Sequence, residues 1–130
     1  MESLTLIVSQ ETTVEFFRNM VAPFYHIQEL PSWHQISLID KNDPTRHAFL
    51  SGEELGVEYE AEEMEMIRAA ISRPIGFVLA SSDHEFLREI LLRLEVEGLI
   101  DDTFGKIWNS REFFGKLRLE PTWDWRRPVE

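Results

Sequence analysis

A chain of 130 residues that is 43% hydrophobic and 28% charged holds enough apolar material for one domain with a core. Its net charge of -11 disfavours nucleic acid and anionic membrane surfaces, which both recruit basic footprints. Cysteine is absent, which excludes disulfides, thiolate metal ligands and a cysteine nucleophile.

Leu4, Leu6 and Val8 alternate with Thr5, Ile7 and Ser9, and this period of two predicts a buried strand over residues 3–8. Met1 to Leu4 show neither the basic start nor the apolar stretch of a secretory leader. No apolar run approaches the roughly 20 residues that span a bilayer, so a soluble, cytoplasmic protein is expected. Thr12-Thr13-Val14-Glu15 has the spacing of a capping box ahead of Val14, Phe17 and Val21, and Pro23 closes that helix. Phe24 to Leu30 are largely apolar and aromatic up to Pro31. Residues 34–39 alternate again, Asp40-Lys41-Asn42-Asp43-Pro44 form a turn cluster, and residues 47–50 read as the returning strand of a hairpin.

The charge is concentrated in the next segment. Residues 51–65 carry Glu53, Glu54, Glu58, Glu60, Glu62, Glu63 and Glu65 with no base, whereas the flanking stretches are close to balanced. Met64, Ile67, Ala70 and Ile71 recur at helical spacing, so part of the run reads as the entry and solvated face of a helix, where glutamates oppose the positive dipole end. Val57 to Glu62 alternate as a strand would, which leaves residues 57–62 open between the two states. The functional reading of the same glutamates is an anionic docking patch for a basic protein.

Residues 75–80, Ile-Gly-Phe-Val-Leu-Ala, form the clearest core strand. Ser82-Asp83-His84-Glu85 has capping-box spacing before a broad apolar stripe of Phe86, Leu87, Ile90, Leu91 and Leu94. Glu89 and Arg93 stand four apart as a surface pair, and Gly98 takes the place of a C′ glycine ending the helix. Residues 101–105 turn into a short strand over 106–108, and the stretch from Ser110 to Leu117 reads as either a helix or an edge strand. Residues 121–130 form a tail rich in Trp, Arg and Pro. Trp123 and Trp125 point the same way if that tail is extended. They either close an edge of the core or, with Arg126, make an aromatic-arginine patch suited to a protein interface, a homodimer included.

Strand, helix, strand, strand, helix, strand is the order of two split βαβ units. One domain over residues 1–130 is therefore expected: a two-layer, ferredoxin-like α+β fold with an extra C-terminal helix and strand, its helices on one face of a mostly antiparallel sheet. No common phosphate loop, Gly-x-Ser-x-Gly elbow or zinc-helix histidine spacing is present, and His26, His34, His47 and His84 each read as structural or exposed. No catalytic residue, metal ligand or cofactor is assigned. A non-enzymatic protein-binding module is the leading expectation, one form of it an antidote or immunity-type inhibitor of a basic protein. The rival is a small-ligand binder or enzyme using an aromatic/His pocket of Tyr25, Trp33 and His34, with Phe24 beside them.

Overall fold

A computed structural model describes residues 1–30, 35–55, 59–94 and 96–127. The elements run β1 (Glu2–Ser9), α1 (Val14–Val21), β2 (Tyr25–Leu30), β3 (Gln35–Asp40), β4 (His47–Glu53), α2 (Ala61–Ala70), β5 (Pro74–Ser81), α3 (His84–Arg93), β6 (Leu99–Asp101), β7 (Ile107–Asn109) and α4 (Ser110–Leu119). The fold is mixed α+β. Its seven strands form one sheet in the order β2-β3-β4-β5-β1-β6-β7, antiparallel at every pairing.

Alternation decides which face of the sheet is buried deepest. Leu4, Leu6 and Val8 of β1 lie beside Phe77 and Leu79 of β5, Leu50 of β4, Ile36 and Leu38 of β3, and Ile100 of β6. Phe17 and Val21 of α1, Phe86, Leu87, Ile90 and Leu91 of α3, and Phe113 and Leu117 of α4 pack onto that face. Fully burying each such side chain contributes about 2 kcal/mol. Ile7 of β1 and Ile67 of α2 are also completely buried, yet stand outside this cluster. Thr5, on the same side of β1 as Ile7, lines a cleft with Glu63 of α2, so α2 covers the side of the sheet away from α1, α3 and α4. The expectation of helices on one face is corrected to three against one. The cause is visible in β1, where Thr5 and Ile7 are both buried and leave no solvated side over that stretch.

Several local expectations shift. The cap of α1 is Thr13 rather than Thr12, its hydroxyl accepting from Phe16 N at 3.2 Å. In α3 it is Asp83 rather than Ser82, accepting from Phe86 N at 3.0 Å. Ser81 stabilises that corner by donating to His47 O at 2.8 Å and accepting from Asp83 N at 3.1 Å. Gly98 does not end α3, which closes at Leu94. At φ 149° it presses against β1, where a Cβ would stand 2.2 Å from Ile7 O. The first six predicted elements would have set β1 beside β4, but β5 lies between them. The stretch after β7 is a helix, opened by Asn109 accepting from Arg111 N at 2.9 Å. Among the described residues no helix is long and apolar enough to cross a membrane.

Candidate functional site

The acidic segment divides between a helix start and a cleft. Glu60 is the N-cap of α2, and its amide donates to the Glu63 carboxylate at 3.0 Å, so these two serve the helix entry as dipole logic expects. Glu62 and Glu65 are exposed on α2. Glu53 ends β4 and Glu54 follows it, both at the surface. Glu58 lies outside the described residues.

Glu53, Glu54 and Glu63 line a cleft of about 540 Å³ together with Thr5, Tyr59, Asp101, Thr103 and Gly105. Of its eight lining residues among those described, four are carboxylates and none is basic. The β6–β7 turn brings in Asp101, whose Oδ2 accepts from the Tyr59 hydroxyl at 2.6 Å while Oδ1 accepts from Thr103 N at 2.9 Å. Thr103 is held with φ at 64°, and its hydroxyl donates to Ser3 O at 2.9 Å. Asp102 beside it is buried and accepts from Phe104 N, Lys106 N and Trp108 Nε1 at 2.7, 3.1 and 3.0 Å. That network fixes the turn, and the turn fixes Asp101. Tyr59 and Asp101 are 42 positions apart, so no local pattern could join them.

Glu53 and Glu54 also line a second concavity of about 520 Å³ with Thr12, Thr13, Val14, Glu15, Gly52, Ile75 and Phe77. The pair therefore stands between an anionic hollow and one with apolar walls. Such a junction suits a peptide segment presenting a cationic side chain next to an apolar one. Among the described residues, no group of three or more His, Asp or Glu is placed to hold a metal ion.

The remaining predicted site residues lie elsewhere. Trp125 is buried and Trp123 partly so, and both join an aromatic cluster with Trp108 and Phe113. Placing them on an exposed interface is thereby corrected, because the segment folds onto the core instead of extending. Both indole N–H groups are buried without a hydrogen-bond partner among the described residues. Arg126 is exposed but grips Asp124 through two bonds of 2.9 and 2.7 Å and stands 3.4 Å from Glu2. The hydrogen bonds from Arg126 hold the Asp124 carboxyl down at about 2 against the opposing effect of burial. Arg88, unremarked in the sequence, is buried and donates to Leu117 O, Glu120 O and Trp123 O.

Tyr25 is buried in the core. Its ring meets Phe86 edge-on at 5.4 Å, and its hydroxyl joins Glu89 (3.3 Å) to Arg93 (3.1 Å), so the expected Glu89–Arg93 pair is bridged. Burial, reinforced by the Glu89 charge, pushes this phenol up to about 12. Phe24 lies under the Arg93 guanidinium at 3.9 Å. Trp33 and His34 lie outside the described residues. No protein-family model matches the chain, and no curated protein or solved structure is significantly similar to it.

Proposed function

We propose that this protein is a non-enzymatic binding module whose acidic cleft docks a basic protein. One observation carries the reading. Glu53, Glu54 and Glu63 converge with Asp101 on a single cleft whose lining, among the described residues, includes no base. Carboxylates on the walls of a concave surface reinforce one another's field, which speeds association with a cation and orients it. The partner's contact is an Arg or Lys side chain, with an apolar neighbour seated toward Ile75 and Phe77. An antidote or immunity-type inhibitor masking a basic protein is one form this module takes. The mode calls for no residue in a catalytic role and for no cofactor.

A ferredoxin-like scaffold is the reading of the fold that accompanies this function. The inner strand order β4-β5-β1-β6 supports it: β1-α1-β4 is split by β5, and β5-α3-β6 is split by β1. The β2–β3 hairpin, α2, β7 and α4 are then additions, and α2 with the β6–β7 turn builds the cleft.

Two charge reversals test the function. Tagged protein carrying Glu53→Lys and Glu54→Lys is compared in native lysate with the unsubstituted chain and with Glu97→Lys, Glu112→Lys, which alters acids outside the cleft. The proposal expects a stoichiometric basic partner held by the parent and the control and lost by the cleft variant. Retention by the cleft variant, or equal loss from both, overturns it.

A further inference from the structure

We propose that β2 pairs antiparallel with β2 of a second copy of this chain, joining two sheets edge to edge. β2 stands at one end of the strand order, and among the described residues no strand lies on its outer side. The opposite edge, β7, is three residues long and offers little ladder. Hydrogen bonds farther in fix which groups β2 turns outward. Asp40 N of β3 donates to Arg46 O at 3.0 Å, so the even residues of β3 face β4 and the odd ones face β2. Gln35, Ser37 and Ile39 stand opposite Leu30, Gln28 and His26, which therefore bond to β3. The amides and carbonyls of Tyr25, Ile27 and Glu29 point to the outer edge.

That edge is complementary to itself about Ile27. A two-fold axis there sets Ile27 against its copy and Tyr25 against Glu29 of the second copy, each pair exchanging both backbone hydrogen bonds. Pro23 and Pro31 flank the strand. Shifting the register by two residues, the smallest step that keeps each side chain on its face, brings one of these prolines, without an N–H, against Tyr25 or Glu29. The centred register lays His26 beside Gln28 of the second copy on the face away from α1 and α3. It also brings the end bearing Phe24 to the end bearing Leu30, both exposed apolar residues. A chain of net charge -11 repels its own copy, so self-association needs a surface poor in acids. The one acid of β2, Glu29, is neutralised by Arg18 of α1. Edges that stay unpaired carry lysine or a bulge. β2 has no lysine, and its register with β3 runs unbroken from Tyr25 to Leu30. Two short strands bury less than a standard interface of about 1,600 Å², which makes the dimer weak and concentration-dependent.

Sedimentation equilibrium of the full chain tests this between about 10 μM and about 1 mM. The mean mass should climb from 15.3 kDa toward twice that value. The variants His26→Lys, Gln28→Lys and His26→Glu, Gln28→Glu each set like charges opposite one another across the axis, and either chain alone should stay monomeric. Mixed, the two should associate. Amide exchange on the unsubstituted chain locates the contact without any variant. The Tyr25, Ile27 and Glu29 amides should gain about fivefold protection once about four-fifths of the chains are paired, while those of His26, Gln28 and Leu30 hold steady. A mass fixed at 15.3 kDa, association that survives the lysine substitutions, or mixed chains that stay apart overturns the proposal. So does protection gained equally by both sets of amides. Protection gained only on adding a peptide alternating Arg and Leu, at constant protein mass, gives the edge to a different occupant and overturns it as well.

Discussion

Replacing Arg88 with Met retains a long apolar stem and removes the guanidinium that closes the end of α4. Three carbonyls lose a donor, Leu117 O at 2.8 Å, Trp123 O at 2.7 Å and Glu120 O at 3.1 Å, the last of them keeping the Trp123 amide at 2.9 Å. The Leu117 bond is buried, and a carbonyl stranded there costs about 1–3 kcal/mol. The other two are partly open to water, so about 1 kcal/mol is lost at each after rehydration. Relief from burying a polar group offsets about 1 kcal/mol of this, which leaves a net loss of about 3 kcal/mol. Urea unfolding checks it, with the midpoint falling while the slope stays unchanged. Arg88→Lys should recover only part of the loss, because one ammonium cannot span three carbonyls. A loss under about 1 kcal/mol for Arg88→Met would refute the claim that this α3 side chain holds the end of α4 and the segment through Trp123 in place.

Three further outcomes follow from single contacts. Gly98→Ala should cost about 3 kcal/mol or more in chemical denaturation, since its Cβ would meet Ile7 O at 2.2 Å and the backbone sits at φ 149°. Stability equal to the parent would contradict that packing. Asp102→Ala strands three donors and should lower the unfolding free energy by about 3 kcal/mol, with the largest amide shifts in the β6–β7 turn. For Asp124 the sign follows from its depressed value of about 2. A folded value below the unfolded one adds stability at neutral pH, which is lost as pH falls from the ordinary aspartate range toward 2. The stability gap between parent and Asp124→Asn should therefore be wide at about pH 6 and shrink by about pH 2.5, and a constant gap would count against the Arg126 grip.

Regular elements were legible where burial follows a period. β1 and β5 stand within a residue of their predicted bounds and α3 starts within a residue of its own, because Leu4-Leu6-Val8, Phe77-Leu79 and Phe86-Leu87-Ile90-Leu91 repeat at the spacing of their element. Caps were displaced by one residue because competing hydroxyls and carboxylates stand side by side. At α3 the Asp83 carboxylate accepts from Phe86 N and takes the cap one residue after Ser82. Gly98 looked like a helix end because sequence records spacing and not the approach of β1 to its Cα. The acidic run was visible by composition alone. Its partition between the α2 entry and the cleft depends on Asp101, which is brought in by a turn some 42 positions from Tyr59. The same non-locality hid Arg88 and the burial of Trp125.

The central claim is that one acidic cleft, rather than acidity in general, recognises a basic segment. An NMR titration with a short peptide alternating Arg and Leu measures this most directly. Saturable shifts should concentrate at Glu53, Glu54, Tyr59, Glu63, Asp101 and Thr103, weaken with added salt, and vanish in the Glu53→Lys, Glu54→Lys chain. Shifts spread evenly over Glu97, Glu112 and the other surface acids, or unchanged by those two substitutions, would contradict it.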